Sequence, residues 1–129
     1  MTGTPTSRVS RIGRANACLI SAALMMVGLF LVAPRLGGLF REPWDKLVHF
    51  VFYGTVATLL GYGGGPRRLG YAFLLTCLAG AADETYQIFL PGRSAGLDDF
   101  AVDCLAALFA VLWVAWYFRR QALQVASEC

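Results

Sequence analysis

The sequence is poor in charge. Only 15% of its 129 residues are Asp, Glu, Lys or Arg, whereas a soluble domain usually has about 25%. The hydrophobic share is 57%, and the mean hydropathy is +0.58. A chain of this length has room for one domain, and its core could not bury so much apolar surface. The shortage of charge therefore excludes an ordinary soluble domain and indicates a membrane protein.

Signatures of nucleic-acid and zinc-binding proteins are missing as well. The net charge is only +3, and no basic stripe with interleaved aromatic residues is present, so we expect no nucleic-acid partner. The four cysteines show no CxxC spacing, and three of them lie in apolar runs. We interpret them as small core residues rather than a disulfide or zinc framework. His49, Glu84, Asp99 and Asp103 could form a metal site, but one His among scattered carboxylates is a poor zinc signature, and we predict neither a metal nor a cofactor.

Four apolar runs organise the chain, at residues 15–33, 47–63, 69–90 and 100–118. About 20 helical residues cross a hydrocarbon core of roughly 30 Å, so each run predicts one transmembrane helix. The second run is short and reaches this length when Trp44 to Lys46 lie in the interface. The connections are short, which makes neighbouring helices antiparallel. The sequence thus predicts an all-α membrane protein, an antiparallel bundle of four transmembrane helices.

Positive charge is distributed unequally between the two sides of this bundle. Of the 11 Lys and Arg residues, the larger share lies beside the termini and the 63–68 turn, which predicts cytoplasmic termini. We therefore expect a basic tail at 1–14, a membrane domain at 15–118 and a second cytoplasmic tail at 119–129. The arginines before the first run would also suit a signal peptide, but the length of the run and Pro34 after LVA favour a retained anchor.

Polar side chains in and beside the runs concentrate on the opposite, outer side. Helical spacing places Asp45 with His49, and Asp99 with Asp103, on single helix faces. Acids in membrane helices are costly, so they normally pair or line a wet cavity. We therefore predict an outer polar cluster made of nine residues: Asp45, Lys46, His49, Glu84, Gln87, Arg93, Ser94, Asp99 and Asp103.

Several of these residues also have a plain structural interpretation. Asp99 could simply cap a helix, and His49 could be a structural hydrogen-bonding group. Asp45 and Lys46 could be ordinary interfacial residues. For Glu84 and Asp103 we favour a site or an obligatory ion-pair network, because acids in such apolar surroundings are rare.

Three segments, in the order DKLVHFVFY, ETYQIFLPGRS and DDFAVDCLAALFA, resemble the VanZ-like family of small bacterial membrane proteins. The resemblance extends from Asp45 to about Ala110 and implies a four-helix protein of the bacterial cytoplasmic (inner) membrane. It also implies that the polar residues listed above, from Asp45 to Asp99, are those of the family. The chain departs from the family at Asp103, usually Asn, and at Ala106, usually Gly.

The resemblance implies a role in the cell envelope, because the namesake of the family is linked to low-level teicoplanin resistance. The partners that it implies are the lipid bilayer and, on the outer side, a lipid-linked cell-wall precursor or the glycopeptide itself.

Three functions stay open at this point. The cluster could bind an envelope component, with Lys46 and Arg93 holding phosphate or carboxylate. It could instead be the site of an intramembrane lipid- or glycan-modifying enzyme, with His49 as general base tuned by Asp45 and Glu84 as general acid, although Ser94 is not embedded in a GxSxG motif. The third function is that of a purely structural membrane subunit. A transporter is disfavoured by the lack of an internal repeat.

Overall fold

A computed structural model describes residues 5–35, 44–91 and 95–127 of the chain. Within these ranges the chain forms four α-helices and no strand. The helices are α1 (Pro5–Val32), α2 (Trp44–Gly64), α3 (Leu69–Gln87) and α4 (Leu97–Ser127), with 3-10 turns at Ala33–Arg35 and Pro66–Arg68. The predicted all-α class is confirmed.

Three of the helices are long and apolar enough to cross a membrane, namely α1 over Val9–Val32, α2 and α4. Helix α3 does not qualify, because Asp83, Glu84 and Gln87 near its end lower its mean hydropathy. Its 19 residues are nevertheless about 28 Å long at helical rise. The described chain is therefore a helical membrane protein with three span-like helices, where the sequence predicted four.

Helix α2 is the centre of the packing, because it contacts α1, α3 and α4. Its Ala57 forms a buried core with Ala107 and Ala110 of α4, against which Phe73 and Cys77 of α3 pack. Small residues let helix backbones approach closely, which is the main packing device available in lipid. Ala106 and Ala110 of α4 are both buried in this contact.

The turn between α2 and α3 sets the direction of α3. Gly65 adopts a φ of 79°, a left-handed conformation that glycine reaches without steric cost. Its N–H donates to the carbonyl of Gly61 at 3.0 Å, which closes the end of α2. The chain then reverses, so that the start of α2 and the end of α3 lie at the same end of the bundle.

Helix α1 covers one side of α2. Its Ala22 is buried, and Leu19 lies against the backbone at Gly63. Phe30 contacts Tyr86 of α3 edge-on, with ring centroids 5.6 Å apart. Much of the remaining apolar surface of α1 is exposed, including Leu24 and Leu31, as expected for a helix that faces lipid.

Candidate functional site

Polar side chains from α2, α3 and α4 meet at one end of the bundle. Lys46, in the first turn of α2, places its Nζ 2.5 Å from Asp98 Oδ2 and 3.1 Å from Asp99 Oδ1 in the first turn of α4. We call Lys46, Asp98 and Asp99 the rim. The rim is partly open to its surroundings, since the Lys46 side chain is 31% exposed and that of Asp98 is 63% exposed.

Deeper in the bundle lies a set of buried polar residues from the same three helices. We call this set the buried cluster, and it consists of His49, Tyr53, Asp83, Glu84, Gln87 and Asp103. His49 Nδ1 lies 3.0 Å from Asp103 Oδ1 and 4.0 Å from Glu84 Oε1. One imidazole of α2 thus stands beside a carboxylate from α4 and another from α3.

Asp83 and Gln87 extend the cluster along α3. The Tyr53 hydroxyl donates to Asp83 Oδ2 at 3.1 Å, and Gln87 Nε2 donates to the same oxygen at 3.2 Å. Gln87 Nε2 also lies 3.5 Å from Glu84 Oε1. Glu84 Oε2 in turn accepts the backbone N–H of Gly96 at 2.8 Å, which ties the cluster to the residues that lead into α4.

Local sequence explains why these side chains face one another. His49 and Tyr53 are four residues apart on α2, as are Asp83 and Gln87 on α3, so each pair lies on one helix face. Gly80 lies about one turn before Asp83. A Cβ there would come within 2.7 Å of Asp103 Oδ2 and 3.0 Å of Asp103 Cβ. Glycine is therefore what lets α3 approach α4 at the depth of Asp103.

Two oxygens of the buried cluster have no hydrogen-bond partner among the described residues, Asp83 Oδ1 and Asp103 Oδ2. Asp103 is 0% exposed and Asp83 is 2% exposed. Burying a polar atom without a hydrogen bond is unfavourable, and unpaired buried atoms in a native fold often mark a functional site. The buried cluster therefore has ligand-accepting capacity that the described side chains leave unused.

The predicted site residues fall into three groups. His49, Glu84, Gln87 and Asp103 lie in the buried cluster, and Lys46 and Asp99 lie in the rim. Asp45 is half-buried in the first turn of α2. Arg93 and Ser94 lie outside the described residues.

The sequence favoured Asp45, four residues earlier on the same helix, as the acid that orients His49. In the structure the carboxylate hydrogen-bonded to His49 Nδ1 belongs to Asp103, on another helix.

Three residues of this region were not in the predicted set: Tyr53, Asp83 and Asp98. Each had a weak local signal, because Tyr53 follows His49 by one helical turn and Asp83 precedes Gln87 by one turn. Asp98 is the neighbour of Asp99. These spacings place residues on a face without saying which face turns inward.

In a comparison with protein families, the model of the family described as VanZ/LLP1 matches residues 6–119. The chain belongs to the VanZ/LLP1 family. The match includes all of α2 and α3 and the first part of α4. The rim and the buried cluster therefore lie inside the VanZ/LLP1 region. The resemblance seen in the three sequence motifs is thus confirmed. Neither the search of curated proteins nor the search of solved structures gave a match.

The arrangement found in this VanZ/LLP1 chain suits two kinds of chemistry. A carboxylate on His49 Nδ1 fixes the orientation of the imidazole, which is how a histidine is prepared for proton transfer. His49, Glu84 and Asp103 also bring three potential metal ligands within 4.8 Å of one another, although no metal site was predicted from the sequence.

Proposed function

We propose that this VanZ/LLP1 protein is a multi-pass protein of the bacterial cytoplasmic membrane that alters glycopeptide susceptibility. It does so by binding or altering an envelope component at the rim and the buried cluster. The observation that carries the proposal is the convergence of polar residues from three helices at one end of an otherwise apolar bundle. Membership in the family adds to it, because the namesake of the family is linked to teicoplanin resistance.

The proposal includes a fourth span, formed by α3. Lys46 and Asp98 are in contact although they open two different span-like helices, so α2 and α4 start on the same side of the membrane. The chain between them must then cross back, and α3 is the described helix between them. Its Asp83, Glu84 and Gln87 are buried against α2 and α4 rather than turned to lipid, which removes the main objection to its crossing.

Orientation follows from the distribution of positive charge. Arg67 and Arg68 lie at the end of the bundle opposite the rim, and Arg119 and Arg120 follow the apolar run 100–118 of α4 at that same end. Arg120 lies 4.8 Å from the Trp116 ring centroid, and such aromatic and basic pairs are common at membrane interfaces. This end and both termini are therefore assigned to the cytoplasm. The rim faces outwards, where lipid-linked wall precursors and teicoplanin meet.

The rim supplies the groups for first contact with a polar headgroup. Lys46 is held by two carboxylates, one of which, Asp98, is well exposed. Exposed ion pairs contribute only about 0–1 kcal/mol, so Lys46 can exchange Asp98 for a phosphate or carboxylate of a ligand at little cost. Glu84 connects this region to the buried cluster through the N–H of Gly96.

A second candidate is an intramembrane enzyme acting on a lipid or glycan. It is favoured by the contact of His49 with Asp103 and by the presence of Glu84 4.0 Å from the same imidazole nitrogen. A general base and a general acid would then stand side by side in one buried site. Protein reconstituted in vesicles with a lipid-linked precursor should give a product of changed mass in this case, and an unchanged precursor in the case of binding alone.

The test of the envelope role is the teicoplanin susceptibility of a Gram-positive host that expresses the native chain, Glu84→Gln or Thr85→Val. Thr85 is the matched control, because it is the next residue of α3 but exposed, with its hydroxyl bonded to the carbonyl of Ala81. Folded protein in the membrane is brought to equal amounts in all three strains.

We expect protection by the native chain and by Thr85→Val, and loss of protection in Glu84→Gln. Equal protection by Glu84→Gln would contradict the proposed site, and no protection by any chain would contradict the envelope role. Failure of Glu84→Gln to accumulate in folded form would favour the structural subunit instead.

A further inference from the structure

We propose that the buried cluster binds one divalent metal ion through His49, Glu84 and Asp103. This goes beyond the envelope role above and does not depend on it. The three residues come from α2, α3 and α4, and one potential ligand atom of each lies within 4.8 Å of the other two. All three side chains are buried, so their positions are fixed by packed helices rather than by mobile loops.

The distances fit a metal-centred arrangement. Bonds from Zn²⁺ to nitrogen or carboxylate oxygen are about 2.0–2.2 Å, which sets neighbouring ligand atoms about 3–4 Å apart. His49 Nδ1 lies 3.0 Å from Asp103 Oδ1 and 4.0 Å from Glu84 Oε1. A cation between these atoms would take the place of the proton that His49 Nδ1 and Asp103 otherwise share, with only small side-chain rotations.

Charge balance supports a cation at this position. The buried cluster contains three carboxylates, those of Asp83, Glu84 and Asp103, and one imidazole, that of His49. Its other donors, Tyr53 and Gln87, are neutral. Several uncompensated carboxylates in a low-dielectric interior are strongly unfavourable. A divalent cation bound by neutral His49 and two carboxylates would offset most of this charge.

The carboxylate oxygens without a hydrogen-bond partner among the described residues are a second, independent observation in favour of a bound cation. Asp103 is completely buried, and its Oδ2 has no hydrogen-bond partner. The negative charge that no donor offsets at Oδ2 is shared through the carboxylate with Oδ1, the oxygen that lies 3.0 Å from His49 Nδ1 and would bind the cation. Asp83 and Gln87 would act outside the ligand set, because Gln87 Nε2 touches both Asp83 Oδ2 and Glu84 Oε1. Such outer hydrogen bonds orient metal-bound carboxylates.

The ligand types narrow the choice of metal. One imidazole and two carboxylates suit a borderline first-row dication such as Zn²⁺ or Mn²⁺, and they do not suit soft Cu⁺. Spacing along the chain gave only a poor signature for this site, since its three ligands lie on three separate helices and no two of them form a local motif.

The experiment measures metal bound to the purified full-length chain in detergent micelles after treatment with EDTA and titration with Zn²⁺ or Mn²⁺. We expect one ion per chain. Asp103→Asn and Glu84→Gln should weaken its affinity by more than about 100-fold, because loss of an outer partner alone costs about 10- to 100-fold. Asp98→Asn is the control, since it removes a rim carboxylate that is 63% exposed and should leave binding unchanged.

Absence of stoichiometric binding by the native chain would overturn the proposal. So would an equal loss of affinity in Asp98→Asn, which would indicate adventitious binding by surface acids. Because the ligand variants can misfold, the native chain is also loaded with Co²⁺, whose visible absorption reports protein ligands directly. Lack of a Co²⁺ spectrum beyond that of the free ion contradicts the site without the use of any variant. None of these measurements involves glycopeptide susceptibility. A failure of the metal site can therefore be distinguished from a failure of the envelope role.

Discussion

Tyr53 and Gln87 are the two described donors that hold Asp83 in the buried cluster. Both donate to Asp83 Oδ2, at 3.1 and 3.2 Å, while Asp83 Oδ1 has no partner. At the scale of single residues, the stability of the cluster therefore depends on very few hydrogen bonds, each of which is buried.

Tyr53→Phe is predicted to destabilise the fold. It removes one of the two donors to Asp83 Oδ2 while keeping the ring and the bond from Gln87, and a typical hydrogen bond contributes about 0.5–1.5 kcal/mol. Tyr71→Phe is the control, because Tyr71 is 67% exposed on α3 and should change little. Unfolding of both variants by a detergent titration checks this. Equal stability of Tyr53→Phe and the native chain would mean that the hydrogen bond to Asp83 contributes nothing.

Gly80→Ala is predicted to push α3 away from α4. Its Cβ would meet Asp103 Oδ2 at 2.7 Å, and Asp103 is pinned by His49, so relief requires a backbone shift. Such overpacking typically costs about 1–3 kcal/mol. Gly70→Ala, where a Cβ would meet nothing within 4 Å, should be neutral or stabilising. Thermal unfolding of both variants in the same detergent tests this prediction. A Gly80→Ala chain as stable as Gly70→Ala would contradict the close approach of α3 to α4.

Sequence spacing revealed only part of the site at this scale. It grouped residues that share one helix, such as Asp99 with Asp103, because the helical period fixes their common face. It did not reveal that Asp103 contacts His49, because that contact depends on how α2 and α4 are rotated and separated. Local spacing pointed to Asp45 instead.

At the scale of elements, hydropathy located each helix but missed several ends. The apolar run at 47–63 corresponds to the longer helix Trp44–Gly64, and the run at 100–118 corresponds to the longer helix Leu97–Ser127. Helices extend beyond lipid because polar residues also satisfy helical hydrogen bonds, so an apolar window underestimates their length. For α3 the apolar run at 69–90 overestimated the length of the helix. The helix ends at Gln87, and the chain continues through i→i+3 turns at Phe89 and Leu90.

Gly63→Ala is predicted to weaken the packing of α1 on α2. Its Cβ would come within 2.6 Å of Leu19 Cγ and 3.0 Å of the Ala15 carbonyl oxygen, and a backbone atom cannot rotate away. Gly28→Ala, in α1 itself, is the control, because a Cβ there would meet nothing within 4 Å. Protection of α1 from protease in detergent should fall in Gly63→Ala only. Unchanged protection in both chains would show that this contact does not hold α1.

At the scale of the whole molecule, the fold turns apolar side chains outwards and polar ones inwards. Leu24 of α1, Leu75 of α3 and Trp113 of α4 are all more than half exposed, whereas Asp83 and Asp103 are buried. This inversion of a soluble protein is expected where lipid is the solvent. It also concentrates the polar residues at the rim end of the bundle.

The four-span topology predicts which positions reagents reach in intact cells. In a chain whose native cysteines are replaced, a cysteine introduced by Asp98→Cys should react with a membrane-impermeant maleimide from outside. One introduced by Ser127→Cys should react only after the cells are broken. A three-span chain with the same cytoplasmic N-terminus reverses both results, because α4 would then start inside.

The buried cluster is the premise of both proposals, and a double-mutant cycle between His49 and Asp103 tests it most directly. His49→Ala, Asp103→Ala and the double variant are unfolded under identical conditions, with His49→Ala plus Gln121→Ala as the distant control pair. We predict a coupling free energy of about 0.5–3 kcal/mol between His49 and Asp103, and additivity within about 0.5 kcal/mol for the control pair. Additive effects at His49 and Asp103 would contradict the buried contact between α2 and α4.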